Sequence, residues 1–86
     1  MSLKDDFKAA AERSKTAIKE KPSNEDLLKL YALFKQGEEG DVTGERPGGF
    51  DFKAIAKYDS WEELKGKTSE EAMNEYIALI NLLAAK

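Results

Sequence analysis

Every glycine and proline of this sequence lies in one of three short regions, and this distribution limits the possible fold more than any other feature. Pro22 marks the first region, residues 37–49 hold five of the six glycines together with Pro47, and Gly66 marks the third. Because glycine and proline interrupt helices, only the stretches between these regions are free to form long ones. The distribution therefore predicts four helical segments.

Each of the four segments opens with residues that favour the start of a helix. The side chains of Ser, Thr and Asp accept hydrogen bonds from the free N–H groups of a first helical turn. An acidic residue three positions later strengthens the pattern. The first segment covers about residues 3–19, and the third begins near residue 51. The start patterns are Ser2 with Asp5, Ser23 with Asp26 after Pro22, Asp51, and Thr68 with Glu71.

Apolar side chains recur in every segment at intervals of three and four residues, which is typical of helices with one buried face. No segment shows the strict alternation of a half-buried strand, so the fold class predicted is all-α. The predicted apolar faces are Phe7, Ala10, Ala11, Ser14 and Ile18; Leu27, Leu28, Leu30, Tyr31, Leu33 and Phe34; Phe52, Ile55, Tyr58 and Trp61; and Ala72, Met73, Tyr76, Ile77, Ile80, Leu83 and Ala84.

The lengths of the connections constrain the topology. The first and third connections are short, which favours antiparallel neighbours. The second, residues 37–50, spans roughly 46 Å at ~3.3 Å per extended residue, whereas a second helix of about thirteen residues is only about 20 Å long. This connection is long enough to return along the bundle, which favours a four-helix up-down-down-up arrangement with helices two and three parallel. A plain antiparallel bundle remains open.

The composition excludes most enzymatic chemistry for this chain of 86 residues, which is predicted to be one domain. Without Cys or His, it has no thiol nucleophile, no imidazole base, no disulfide and none of the usual zinc ligands. The glycine-rich stretch lacks both the ending of a phosphate-binding loop and the ligand spacing of a calcium loop. We therefore predict no catalytic residues, no metal and no cofactor.

Charge and hydropathy narrow the partners and the location. A net charge of −3 argues against nucleic-acid binding driven by overall charge. No apolar run approaches the roughly 20 residues that span a bilayer, and the first residues do not resemble a signal peptide. We expect no stable membrane insertion. The absence of cysteine fits a reducing compartment, so we expect a cytoplasmic location. We also expect a monomer.

Lysines and aromatic residues cluster in the second and third segments. Lys35 follows Tyr31 by four positions, which puts an ammonium and a phenol on one helix face, where both can contact one phosphate. The simpler interpretation is a buried tyrosine and a solvated lysine. A further alternative is a small helical protein-interaction module, with Phe50 and Trp61 as anchors for a partner helix.

Several ordered segments together resemble the acyl-CoA-binding protein family. The resemblance covers roughly residues 7–83, and the order and spacing of its parts are far more specific than any single part. The parts are LYALFKQ at residues 30–36, Gly40 with Asp41, Pro47 with Gly48, FKAIAKYDSW at residues 52–61, Leu64 to Gly66, Ala72 with Met73, and Tyr76 with Ile77.

The resemblance implies an up-down-down-up bundle with an overhand connection between helices two and three. It also implies a non-catalytic carrier that binds long-chain acyl-CoA reversibly, with residues 1–86 as a single acyl-CoA-binding domain. In the family, certain residues hold the phosphate, ribose and adenine of CoA, and the matching residues here are Tyr31, Lys35, Lys57 and Tyr76. The alanines that line the family's cleft match Ala10 and Ala11. A basic residue that precedes the proline matches Lys21.

The sequence departs from the family pattern at two aromatic positions. Phe34 stands where the pattern has a second tyrosine, so a ring is kept for stacking but a hydroxyl donor is lost. Tyr58 stands where the pattern has tryptophan. Because both rings survive, the resemblance implies that ligand binding is retained with a modest loss of affinity.

Overall fold

The computed structural model describes residues 2–86, and these contain four α-helices and no β-strand. In chain order, the helices are α1 (Leu3–Ala17), α2 (Asn24–Glu39), α3 (Phe52–Glu62) and α4 (Ser69–Ala84). The all-α prediction is confirmed. α1 ends two residues earlier than predicted, because Ile18 adopts an extended conformation and packs against the core.

The four predicted N-caps are all present. Each capping side chain accepts a hydrogen bond from the backbone N–H three residues later, at 3.1 or 3.2 Å. At α4 the Glu71 carboxylate also accepts from the backbone N–H of Thr68, which completes a capping box. The capping residues are Ser2, Ser23, Asp51 and Thr68. Helix starts are therefore encoded locally in this chain.

α2 and α3 lie side by side and run in the same direction. The Lys57 ammonium lies 5.3 Å from the centroid of the Tyr31 ring. One turn later along both helices, the Lys35 ammonium lies 5.5 Å from the Trp61 ring. Contacts that advance together along two helices show that the helices are parallel, as the long connection predicted.

α4 packs against both α1 and α2. The Phe7 ring meets Tyr76 edge-on, with 5.2 Å between centroids, and further along both helices the Arg13 guanidinium donates a hydrogen bond to the Asn81 side chain. α1 and α4 are therefore parallel to each other. Together with the parallel α2 and α3, this gives the up-down-down-up bundle and excludes the plain antiparallel alternative.

Gly37 lies inside α2, so the prediction that the long connection starts there is wrong. The helix continues to Glu39 and ends at Gly40, which has a φ of +83°. Gly37 is buried, and a Cβ atom added to it would lie 3.1 Å from Met73 and 3.1 Å from Phe7. The glycine thus permits close packing of three helices instead of ending one of them.

We expect Gly37→Val to lower the free energy of unfolding by about 1–3 kcal/mol, because the added side chain overfills this contact. Urea unfolding measures the change. Gly48→Val is the matched control, since nothing lies within 4 Å of a Cβ atom at Gly48 and its φ is not positive. Equal losses of stability in the two variants would contradict close packing at Gly37.

The core lies where α1, α2 and α4 meet. The rings of Phe7, Phe34 and Tyr76 contact one another with centroids 5.2 to 5.8 Å apart. Two predicted members of the apolar faces are exposed: Phe52 is 70% exposed and Leu27 is 41% exposed. The residues of the buried cluster are Phe7, Ala10, Leu33, Ala72, Met73, Tyr76 and Ile80.

A network of polar contacts ties the beginning of the long connection to the α3–α4 turn. The Gln36 side chain is fully buried, and its amide donates to Asp41 at 2.9 Å and to the Lys67 carbonyl at 2.7 Å. The Asp41 carboxylate also accepts from the Gly66 N–H at 2.9 Å. These hydrogen bonds, from Gly66 and then Gln36, lower the pKa of Asp41 below its usual value.

The connection is also attached to α3. The indole N–H of Trp61, which is buried, donates to the Gly40 carbonyl at 2.9 Å. Arg46 donates two hydrogen bonds to Asp59, at 2.7 and 2.9 Å. These contacts hold α3 parallel to α2, and this alignment creates the cleft described next.

Within residues 2–86, no helix combines the length and apolar character that a bilayer crossing requires.

Candidate functional site

A cleft of about 470 Å³ lies between the N-terminal halves of α2 and α3. Its volume falls within the range of about 300–1,000 Å³ that small-molecule sites occupy. Its lining combines aliphatic side chains with two lysines and a tyrosine, and contains no carboxylate. The residues that line it are Asn24, Leu27, Leu28, Tyr31, Lys53, Ala56 and Lys57.

Helical periodicity on two parallel helices explains how these residues meet. Leu27 and Tyr31 are four residues apart on α2, and Lys53 and Lys57 are four residues apart on α3, so each pair shares a helix face. Ala56 lies between the two lysines in the lining and contributes only a methyl group. The small side chain leaves an apolar floor beside two cationic groups.

The cationic groups lie against aromatic faces. The Lys57 ammonium lies over the Tyr31 ring and the Lys35 ammonium over the Trp61 ring, both within the roughly 6 Å at which such contacts are favourable. Lys35 also donates to the Glu39 carboxylate at 2.5 Å. This hydrogen bond is the main cause of a raised pKa for Lys35, which its partial burial opposes. The Lys35 ammonium is therefore charged at neutral pH.

The structure brings three of the sequence-predicted residues close together. Tyr31 and Lys57 line the same cleft. Lys35 lies one turn further along the α2 face that carries Tyr31. The predicted pairing of an ammonium with a phenol on α2 is thereby extended by a second ammonium from α3.

Three other predicted residues line two neighbouring hollows. Phe34 and Ala11 border a hollow of about 270 Å³ on the side of α1. Lys21 borders one of about 340 Å³ at the α1–α2 connection, which shares Leu27 with the main cleft. None of these three residues lines the main cleft itself.

Ala10 and Tyr76 are buried. Ala10 has no exposed surface, and Tyr76 is only 6% exposed, with its ring inside the core. Burial raises the pKa of the Tyr76 hydroxyl, while the nearby Ser14 side chain acts in the opposite direction. The structure thus gives these two residues a packing role in the core, and direct contact with a ligand stays a prediction for both.

Several lining residues were not identified from the sequence as site residues. Lys53 precedes Lys57 by one helical turn, and Leu27 precedes Tyr31 by one turn, so periodicity alone was a usable signal for both. Asn24 and Leu28 precede Tyr31 by seven and three residues and Ala56 follows Lys53 by three, so they share the same faces; that the two faces meet depends on how α2 and α3 are aligned.

The two predicted anchors for a partner helix have different environments. Trp61 is buried and hydrogen-bonded to the long connection, so it is not available as an anchor. Phe50 is 92% exposed and contacts Phe52 edge-on at 6.3 Å.

Among residues 2–86, no group of three or more His, Cys, Asp or Glu side chains is placed to hold a metal ion.

Comparison with known proteins connects this geometry to one family. The family profile described as acyl-CoA-binding protein matches residues 4–80. Acyl-CoA-binding domain-containing protein 6 of Arabidopsis thaliana is 51% identical over 83 residues, which cover 96% of this chain and 89% of that protein. Acyl-CoA-binding protein homolog 1 of Caenorhabditis elegans is 51% identical over 80 residues, covering 93% and 92% of the respective chains.

A solved structure gives the same result for the fold. The crystal structure of acyl-CoA-binding protein 2 from Oryza sativa superposes with a TM-score of 0.91 at 43% sequence identity. The superposition covers 98% of this chain and 92% of that one.

Proposed function

The chain belongs to the acyl-CoA-binding protein family, and on this basis we propose that it binds medium- to long-chain acyl-CoA thioesters reversibly and carries them without converting them. In this proposal, residues 1–86 act as a single acyl-CoA-binding domain, and the protein is a cytoplasmic monomer. The ligand has an apolar tail and an anionic head group, which require different surroundings within one site.

The observation that carries the proposal is the carboxylate-free cleft between α2 and α3. Its aliphatic lining suits an acyl chain, and the ammonium groups of Lys53 and Lys57 suit phosphate groups at its edge. Removing apolar surface from water supplies affinity. Hydrogen bonds from a lysine to a phosphate oxygen are charge-assisted, and they fix the orientation of the head group.

Individual roles follow from position. We assign Lys57 and Lys35 to the phosphate of the head group, and Tyr31 to a hydroxyl and ring contact between them. Phe34 and Ala11 border the side where an adenine ring would lie, and Lys21 adds a positive charge nearby. Tyr76 and Ala10 shape this region from below.

The proposal of a carrier excludes turnover. Thioester hydrolysis needs an activated nucleophile or a positioned base, and the sequence lacks two residue types that commonly fill these roles, Cys and His. Incubating palmitoyl-CoA with the protein at high concentration and following free thiol over time tests this point. Thiol release above the rate without protein would contradict the carrier proposal.

Isothermal titration with palmitoyl-CoA, free CoA and palmitate, each below its micelle concentration, tests binding itself. We expect one ligand to bind per chain with submicromolar affinity for the thioester and far weaker binding of both fragments, because only the intact ligand fills both parts of the site. Absence of binding to all three would refute the proposal.

We expect Lys57→Ala to weaken palmitoyl-CoA binding by about 10- to 100-fold, because a hydrogen bond to a charged group contributes about 1.5–3 kcal/mol. The same titration measures the loss. Lys29→Ala is the matched control: it removes an equal charge from an exposed position on α2 that borders a different hollow. Equal losses for the two variants would assign the effect to overall charge and not to the site.

A further inference from the structure

α2 ends with two carboxylates at its C-terminus, where the helix dipole is already negative. Glu38 and Glu39 occupy the last turn, which contains no basic residue, although negative charge is unfavourable at the C-terminus of a helix. Glu39 pairs with Lys35, but a lysine that precedes its glutamate by four residues is the weaker of the two orientations on a helix. Helix stability therefore does not explain why Glu39 stands here.

The geometry gives Lys35 two competing partners. Tyr31, Lys35 and Glu39 follow one another at intervals of four residues along one face of α2, with Lys35 in the middle. In one direction lie Tyr31 and the cleft. In the other, the Glu39 carboxylate accepts a hydrogen bond from the ammonium at 2.5 Å. Both side chains remain partly exposed, at 30% for Lys35 and 43% for Glu39, so an incoming anion has access to the pair.

We propose that Glu39 is an internal competitor for the ligand phosphate: its carboxylate holds the Lys35 ammonium in the free protein and is displaced when a phosphate binds. This inference rests on the proposed function, since it assigns Lys35 to the head group. Both anions offer oxygen acceptors, but a phosphate monoester carries −1.5 to −2 charges near neutral pH, whereas a carboxylate carries one. A phosphate monoester therefore has the advantage in this exchange.

The competition makes Glu39 a determinant of how strongly the site distinguishes acyl-CoA from an analogue without the phosphate monoester. A ligand that lacks the phosphate monoester presents less negative charge to the Lys35 ammonium, so the ammonium stays hydrogen-bonded to Glu39. The raised pKa of Lys35, caused first by the Glu39 hydrogen bond, is consistent with a favourable pair that must be broken on binding. Removing the carboxylate should favour acyl-CoA over its dephosphorylated analogue.

The test compares palmitoyl-CoA with palmitoyl-dephospho-CoA, which lacks the 3′-phosphate, in titrations of the wild type and of Glu39→Gln. We expect Glu39→Gln to bind palmitoyl-CoA about two- to fivefold more tightly, the range for partly exposed ion pairs. Its affinity for the dephospho ligand should change little. Glu38→Gln is the matched control, because it removes the same charge from the neighbouring position without a hydrogen bond to Lys35.

Three binding results would overturn the inference: tighter binding of both ligands to the same extent, equal changes (or no change) in Glu38→Gln and Glu39→Gln, or weaker binding of palmitoyl-CoA to Glu39→Gln. The last result would mean that Glu39 positions Lys35 for the ligand. In a Lys35→Met background, Glu39→Gln should have no effect on either ligand. Failure of the wild type to bind palmitoyl-CoA refutes the proposed function itself, and is distinct from all three.

Thermal unfolding of Glu39→Gln provides a readout that does not depend on the ligand. We expect its melting temperature to equal or exceed that of the wild type, since the substitution removes a negative charge from a helix C-terminus. A marked decrease would show that the pair is structural, and would contradict the inference.

Discussion

Palmitoyl-CoA should bind this protein at least about 100-fold more tightly than octanoyl-CoA. The two ligands differ by eight methylene groups, and full burial of these groups is worth roughly 6 kcal/mol at ~0.8 kcal/mol each. The cleft is partly open to solvent, and ordering the chain costs free energy, so about half of this value is the expected net gain. Titrations with acyl-CoAs of increasing length measure the increment per methylene.

Two variants separate the cleft from the rest of the apolar surface. Leu27→Ser changes a residue that lines the cleft and should reduce the increment per methylene. Leu82→Ser makes the same change at a residue of α4 that is 60% exposed and outside the cleft, and should leave the increment unchanged. Affinity that does not vary with chain length would mean that the acyl chain stays outside the cleft.

Ile80→Ala should lower the free energy of unfolding by about 2–5 kcal/mol. The Ile80 side chain is fully buried in the cluster formed by α1, α2 and α4. Its truncation loses the transfer free energy of the removed groups and leaves a cavity that close-packed neighbours fill only in part. Urea unfolding followed by circular dichroism measures the change, which is a large share of the 5–15 kcal/mol typical of small proteins.

Leu82→Ala is the control for this second prediction, because it truncates an exposed side chain two residues later on the same helix. A surface substitution of this kind changes stability by only about 0.5 kcal/mol. Ile80 does not line the cleft, so folded Ile80→Ala should retain the wild-type affinity for palmitoyl-CoA. Similar losses of stability in the two variants would contradict the placement of the core on this face of α4.

The candidate site was predictable from the sequence only within each helix. Tyr31 and Lys35 share a face because they are four residues apart, which holds wherever α2 packs. That Lys57 lies over Tyr31 depends on the parallel alignment of α2 and α3. Periodicity alone did not predict this alignment. Lys57 was predicted as a site residue only from the resemblance to the acyl-CoA-binding protein family.

Burial was harder to predict than helical structure. The sequence pattern places both Tyr76 and Phe52 on inward faces, but only Tyr76 lies in the core, whereas Phe52 is 70% exposed. Both are aromatic residues at helical spacing, so the pattern does not distinguish them. What distinguishes them is the element opposite: Tyr76 faces Phe7 and Phe34, whereas Phe52 contacts the exposed Phe50 of the long connection.

The sequence by itself determined the number of helices and where each begins, because a capping side chain acts on a backbone group only three residues away. The length of one connection also indicated which helices run parallel. Only the tertiary structure decided that Gly37 is a packing residue, that the Lys53–Lys57 face of α3 meets the Leu27–Tyr31 face of α2 in one cleft, and that the Lys35 ammonium contacts both Glu39 and the Trp61 ring. These properties depend on neighbours distant in the sequence or on a choice between local partners, and local spacing does not specify either.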